Sequence, residues 1–365
     1  MRPLGRIALP LLIAAAVALA IVPHLNLQGF TRGLDAFLSP STTRSDHAHS
    51  PELLDTQHQD GLPTPLVIGY YSGSGSGLGF QTLEKDAHLL NAIVPDWYTI
   101  WRNGAVTGQA LPQVLELAQR KNLWVFAMVS QNEYGGAVLG PLLQDPVASR
   151  RAMENLLALC EQQGYDGINL DFEGVPPSDR ADFTNFVSQL GGLLHRYGYY
   201  LTLSVPAETS DQPSNSWSGA YDYKALGKIA DLVMVMAYDQ HYSTSTAGPI
   251  ASTAWVEQVT SFAARTIPLP RLVLGVPVYG YDWGSGPAQG LSWEQYQQIA
   301  QSHGLSPTSQ DLVYWMNGVR HTAYYEGLQD FAAKVRVATG YGLRGIALWR
   351  LGLEDPKIWN YLGGV

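Results

Sequence analysis

A single cysteine, Cys160, excludes any disulfide within the chain, so the fold must rest on a packed core. Cys160 keeps helical register with Met153, Leu156 and Leu157, which reads as a core position rather than a nucleophile. Basic residues are also few. The 22 Lys and Arg against 31 Asp and Glu leave a formal net charge of -9. That balance argues against nucleic acid or an anionic membrane surface as a main partner. The nine His are scattered, and the closest group (His47, His49, His58) falls in a polar stretch that reads as a solvated linker. Neither a metal site nor a cofactor is expected. What the chain has in quantity is apolar and aromatic side chains: 46% of residues are hydrophobic, with 10 Trp and 20 Tyr. That is enough for a full-sized core, with rings to spare as platforms for sugar faces.

The N-terminus places Arg2 and Arg6 before an apolar run from Ile7 to Val22, the pattern of an export segment. The run is short of the roughly 20 apolar residues of a comfortable spanning helix, and Ala18-Leu19-Ala20 offers a small-x-small cleavage site. Residues 1–25 therefore serve as a cleaved signal or as an uncleaved membrane tether. Either way the protein is expected outside the cytoplasm, extracellular or in the cell envelope. Residues 26–62, rich in Ser, Thr, His, Asp, Gln and Pro, read as a polar linker without wall-binding repeats.

From Pro63 to Val365 short apolar runs alternate with helical stripes. Strands are predicted at Leu66–Tyr70, Trp97–Trp101, Trp124–Val129, Gly167–Phe172, Tyr200–Val205, Leu232–Ala237, Leu272–Val278 and Gly345–Trp349. One intervening helix starts at Asp145 as N-cap with Pro146 at N1 and stops at Gly164. Another carries Phe183, Phe186, Val187, Leu190 and Leu194 at helical spacing, and a third Val256, Val259 and Ala263. Eight strands separated by helices predict an α/β fold, a (β/α)8 TIM barrel, with a doubly wound open sheet as the competing architecture. A small insertion over about 284–326 interrupts the rhythm before the last strand. The Ser72-to-Gly77 loop, three Ser-Gly pairs, lacks the spacing of a phosphate cradle and reads as a rim loop.

The informative stretch is Tyr165-Asp166-Gly167-Ile168-Asn169-Leu170-Asp171-Phe172-Glu173. Read as a strand, Ile168, Leu170 and Phe172 point one way, and Asn169, Asp171 and Glu173 the other. Two acids in a row on one strand face are costly to bury unless they serve each other and a reaction. Asp166 breaks the alternation and is assigned to structure or to support of the acid row. In a barrel, Asp171 and Glu173 fall at the active C-terminal mouth, where Tyr238, Asp239, Trp349 and Tyr70 also end strands. Two carboxylates, hydroxyls and a bowl of rings suggest carbohydrate hydrolysis.

The run Asp166-Gly167-Ile168-Asn169-Leu170-Asp171-Phe172-Glu173 resembles the D-G-x-x-x-D-x-E signature of glycoside hydrolase family 18, the chitinase-type barrels. Val235-Met236-Ala237-Tyr238-Asp239 is similar to that family's sixth-strand Met-x-Tyr-Asp. Leu274 to Trp283 and Gly345 to Trp349 resemble its last two strands. Tyr165 to Pro177, with Gly248-Pro249-Ile250-Ala251, looks most like the bacterial branch of spore-germination, cortex-lytic N-acetylglucosaminidases. The resemblance implies retaining, substrate-assisted hydrolysis of β-1,4-linked N-acetylglucosamine glycans, an exception to the two-carboxylate scheme. Under it Glu173 is the general acid, Asp171 holds the acetamido N–H and Tyr238 positions the acetamido oxygen. Asn169 supports the row. Trp349 floors the sugar, and Asp239, Tyr70 and Tyr279 are wall contacts. The expected partner is an N-acetylglucosamine-containing polysaccharide met by a monomer, peptidoglycan first and chitin-type oligosaccharides second. A catalytically silent sugar-binding barrel is the alternative.

Two departures stand out. Asn169 replaces a third acid present in many chitinases. As an amide it can hydrogen-bond Asp171 without taking its proton, so Asp171 is expected to stay ionised to lower pH. The third strand reads Ala127-Met128-Val129-Ser130-Gln131 and lacks the Ser-x-Gly-Gly run of typical chitinases.

Overall fold

In a computed structural model of the chain, residues 61–364 are described, apart from 134, 135 and 309. The expected export segment, nearly all of the expected linker and His47, His49 and His58 lie outside the described residues. The strands are β1 (Leu66–Tyr71), β2 (Ala92–Ile100), β3 (Val106–Gly108), β4 (Trp124–Gln131), β5 (Gly167–Asp171) and β6 (Tyr200–Pro206). They continue as β7 (Leu232–Met236), β8 (Leu272–Pro277), β9 (Gly280–Trp283), β10 (Gln289–Leu291), β11 (Asp311–Met316), β12 (Val319–Tyr325) and β13 (Gly345–Trp349).

Eight of them close into a parallel barrel. The order runs β1, β13, β8, β7, β6, β5, β4, β2, and β2 pairs back onto β1, which rules out the open sheet. Short β3 adds to β2 in the antiparallel sense. Period-two alternation sorts the side chains into two cores. Leu66, Ile68, Ala92, Val94, Phe126 and Met234 fill the barrel, while Leu170, Phe172, Leu203 and Val235 face the helices outside. Helices form where the punctuation predicts them. Over Pro146–Gln163, the Asp145 carboxylate caps the Val147 N–H, and Gly164 takes the left-handed φ of 70° that ends the helix. Cys160 is fully buried on its inner face, where desolvation pushes the thiol pKa up.

The second strand begins five residues before its predicted start. Pro95 and Asp96 argue against a strand, and they are tolerated because the ladder with β4 shifts register between Asp96 and Tyr98. The insertion likewise starts earlier than predicted, at Gly280. Strands β9 to β12 form their own antiparallel sheet in the order β10, β9, β12, β11. Helix Trp293–Ser302 covers one face of it, burying Tyr296 and Ala300 against Leu312, Tyr314 and Ala323. The insertion is tied to the barrel mouth through Glu326 N–H to Tyr279 O at 3.1 Å and Tyr325 OH to Val278 O at 3.2 Å. A buried Lys334–Glu326 ion pair at 2.5 Å, with Glu326 also accepting from the Ala251 N–H, fixes its return.

Candidate active site

The acid row stands where β5 ends. On its outer side Phe172 packs between Phe183 and Phe186, ring centroids 6.3 and 6.0 Å away. Burying such a ring contributes roughly 2–3 kcal/mol and locks the alternation that turns Asn169, Asp171 and Glu173 inward. Two further contacts hold the backbone at the strand end. Gln131, the last residue of β4, accepts from the Glu173 N–H and donates to the Glu173 carbonyl, both at 3.0 Å. Tyr221 donates its hydroxyl to the Phe172 carbonyl. Neither residue was singled out from the sequence. Gln131 had one legible sign, its place at the end of the neighbouring strand. Tyr221 comes from a loop 49 residues on from Phe172 and had none.

Inside the mouth, Asn169 is fully buried but bonds sideways. Its amide donates to Thr202 Oγ1 and its carbonyl accepts from Ser204 Oγ, both at 3.0 Å, and Tyr70 OH meets Ser204 Oγ at 2.7 Å. Asn169 therefore does not hold Asp171, and Asp171 Oδ1 is buried without a hydrogen-bond partner. The hydrogen bond expected from Asn169 to Asp171 is thus not made, because the hydroxyls of β6 take both ends of the amide. Burial, then the charges of Glu173 and Asp96, push the Asp171 pKa well above the carboxylate range. Burial, then Asp239, pushes Glu173 up to about 7. The two acids, two residues apart and each held up by burial and by a neighbouring charge, titrate as a coupled pair.

Asp96 is an addition that the sequence reading did not make. It faces the barrel interior two residues beyond Val94, held by the Ser72 side chain and by the charge of Arg350. Arg350 also donates to the Ser72 carbonyl at 2.7 Å, which fastens the Ser-Gly rim loop over the mouth. Asp166, by contrast, lies at the opposite end of β5 from Asp171, roughly 16 Å along the strand. Its carboxylate accepts from the Val125 N–H at 2.7 Å. It anchors the bottom of the barrel and does not support the acid row, a correction to that half of its assignment.

The remaining predicted residues come together. Trp349 stacks on Tyr238 with centroids 6.3 Å apart and planes at 19°, and Tyr70 meets its edge at 5.1 Å. Gly275 makes room for the Tyr238 ring: a Cβ there would lie 2.6 Å from Val235 O and 3.1 Å from Tyr238 Cε1. Burial and the surrounding acids raise the Tyr238 pKa, so its hydroxyl stays protonated and able to donate. Tyr279 donates to Asp239 Oδ1. Asp239 is open to solvent on the mouth side and takes a left-handed φ of 56°, a sparsely populated setting that recurs at functional sites. Among the described residues, no group of three or more His, Cys, Asp or Glu is placed to hold a metal ion.

A third buried acid stands apart. Glu208 follows β6, is 4% exposed, and neither of its oxygens makes a well-formed hydrogen bond. Burial pushes it up to about 8, against the smaller pull of Ser218 and Arg180. Between its ordinary value near 4.5 and about 8, the folded chain holds a proton that the unfolded chain has released. Stability should therefore fall as pH rises through that window. Glu208→Gln is expected to match the wild type near pH 4. Near pH 9 it should be more stable by on the order of 5 kcal/mol, from ~1.4 kcal/mol for each tenfold change in proton affinity between 4.5 and about 8. Urea melts of both proteins at the two pH values check this, and equal stability near pH 9 would refute it.

Comparisons with known proteins agree with this geometry. The family described as glycosyl hydrolases family 18 matches residues 66–354. An uncharacterized glycosylase of Bacillus subtilis (strain 168), YvbX, is 28% identical over 310 residues, covering 81% of this chain and 90% of that protein. The cortical fragment-lytic enzyme of the same organism is 28% identical over 277 residues, covering 72% of this chain and 64% of that enzyme. Among solved structures, a chitinase from Chromobacterium violaceum ATCC 12472 superposes with a TM-score of 0.73 at 29% identity, covering 82% of this chain and 98% of that one.

Proposed function

The chain belongs to glycosyl hydrolases family 18, and from that premise we propose that it cleaves β-1,4-linked N-acetylglucosamine glycans of peptidoglycan by substrate-assisted, retaining hydrolysis. The observation that carries the reading is the acid row at the barrel mouth, where buried Asp171 keeps an unpartnered oxygen two residues before half-buried Glu173 and beside the stacked Tyr238 and Trp349. Glu173 gives its proton to the glycosidic oxygen as the C1–O bond breaks. The carbonyl oxygen of the substrate's own acetamido group attacks C1 and closes an oxazolinium ring. Asp171 accepts from the acetamido N–H and carries the negative charge that stabilises this cation. Its otherwise unpartnered Oδ1 supports that role. Tyr238 donates to the acetamido oxygen and aims it, and Trp349 lies under the sugar ring. Water then attacks C1 from the side the leaving group has vacated, and Glu173 takes its proton back.

Peptidoglycan is favoured by likeness to a cortical fragment-lytic enzyme, whose name states that it acts on cortical fragments. Chitin-type oligosaccharides are the second reading, favoured by likeness to a chitinase along nearly its full length. With this function goes export through the Arg2, Arg6 and Ile7–Val22 segment, which would bring the enzyme to its polymer. Incubation of the protein with purified peptidoglycan, and separately with N-acetylglucosamine oligomers, tests the reading when products are weighed by mass spectrometry. Peptidoglycan fragments ending in reducing N-acetylglucosamine are expected. Binding of both polymers with cleavage of neither would make the barrel a lectin.

A further inference from the structure

Asp96 brings into the barrel a charge that the proposed reaction does not use. It is the last inward side chain before the shift in β2. Ala92 and Val94 precede it on the barrel side, and beyond it Trp97 and Tyr98 both pack among the helices outside. A break of this kind in a ladder re-aims a side chain. The outer residues are pinned. Tyr71 meets the Trp97 ring at 6.4 Å and Tyr98 OH bonds Tyr165 OH at 2.8 Å, which keeps Asp96 facing in.

Register puts Asp96 level with Met128 of β4, and Met128 level with Asn169 of β5, one inward position below Asp171. Two strand spacings, roughly 10 Å of backbone, separate Asp96 from the acid row, and the side chains converge towards the barrel axis. At that level the intervening strand contributes only buried Met128, an apolar filler across which charge acts with little screening. Two groups fasten Asp96 from its far side. The Ser72 side chain hydrogen-bonds it, and Arg350, which donates to the Ser72 carbonyl at 2.7 Å, sets a positive charge near it. Asp171, for its part, keeps a buried oxygen without a partner, since Asn169 has turned to Thr202 and Ser204.

We propose that Asp96 is a positioning residue for the reaction: fastened by Ser72 and Arg350, its carboxylate faces the acid row across the barrel and governs Asp171, a part that Asn169 on the row itself does not take. The proposal rests on the hydrolytic reading above and goes beyond it, because the controlling group comes from a different strand. Three hydroxyls feel the charge of Asp171, those of Tyr70 in β1, Tyr238 after β7 and Tyr221 after β6. Burial keeps all three protonated, so Glu173 and Asp96 are the groups that set negative charge against Asp171, while Asp239 acts on Glu173. Ser72 and Arg350 favour the ionised form of Asp96 itself. An ionised Asp96 opposes a second negative charge at Asp171. The Asp171 carboxylate therefore forms most readily when a cation, such as the oxazolinium ring, lies against it.

The test uses the full chain carrying Asp96→Asn or Asp96→Glu. The amide keeps the shape and removes the charge, while Arg350 still fastens the rim loop through the Ser72 carbonyl. Carboxyl carbon NMR of aspartate-labelled protein reads the titration directly, with the Asp171 signal identified by its loss in Asp171→Asn. Asp171 is expected to titrate about half a pH unit or more lower in Asp96→Asn, and as in the wild type in Asp96→Glu. The bell of kcat against pH on a soluble β-1,4-linked N-acetylglucosamine oligomer should centre at lower pH in Asp96→Asn alone. A merely structural Asp96 would lower kcat and leave both the titration and the bell in place. An Asp171 titration indifferent to Asp96 would overturn the proposal, and so would a shifted titration in an active enzyme whose bell does not move. Should the wild type hydrolyse nothing while the titration still shifts, the hydrolytic reading falls and the control of Asp171 by Asp96 stands.

Discussion

Replacing Glu173 by Gln is expected to lower kcat on a β-1,4-linked N-acetylglucosamine substrate by on the order of 10²–10⁴, the usual worth of a positioned proton donor. The amide has the shape of the acid and nothing to donate to the leaving oxygen. Little else should change. The contacts that hold this position in place run through backbone atoms, from Gln131 to the Glu173 N–H and carbonyl and from Tyr221 to the Phe172 carbonyl. The side chain itself is held above its ordinary pKa by burial, so the neutral amide should fold at least as well. The wild type also carries a pH signature. Catalysis needs the acid form of Glu173, so kcat should fall as pH rises through about 7, and the residual rate of Glu173→Gln should lack that limb. A leaving group that departs without a proton, such as a dinitrophenolate, should shrink the deficit. Kinetics on the polymer and on that aryl glycoside, across pH, decide the matter. Full activity of Glu173→Gln on the polymer would end the assignment.

How much of this was legible in the sequence depends on the range of the interaction. The row Asn169, Asp171, Glu173 is local, set by a period of two and by the greasy partners Ile168, Leu170 and Phe172, and could be read directly. The helix from Pro146 to Gln163 is local in the same sense, written in Asp145, Pro146 and Gly164. Barrel closure needed only a count, because eight strands with helices between them leave few alternatives. What failed was set by contacts across the barrel. Asn169 could bond its neighbour on the strand or the hydroxyls of β6, and only packing chose Thr202 and Ser204. Asp96 sits beside a proline in a strand whose register shifts, so neither its strand nor its inward direction was legible. Asp166 belongs to the motif by spacing, yet five residues of strand carry it to the other end of the barrel.

Asp171→Asn should be the second severe substitution, costing on the order of 10²–10³ in kcat, as for loss of a preorganised electrostatic stabiliser. The amide can still meet the acetamido group, and what it lacks is the charge opposite the oxazolinium ring. Its effect on pH is opposite to that of a merely misplaced side chain. Where Asp171 is ionised, its charge opposes loss of the Glu173 proton, because the coupling between the two acids acts on both. With Asn there, only burial and Asp239 remain to hold Glu173 protonated, so the alkaline limb of kcat should move to lower pH. Stability should move the other way. A carboxylate 7% exposed, one of whose oxygens is unpartnered, penalises the folded state wherever it is ionised. The amide should therefore melt at or above the wild-type temperature at neutral pH. The three readouts separate the possible roles. A stable, slow variant with an acid-shifted limb makes Asp171 the electrostatic partner of both the acid and the cation. With the limb unmoved, it would only position the substrate. A lower melting temperature would mean that the acid row is structural, and the proposed mechanism would lose its second carboxylate.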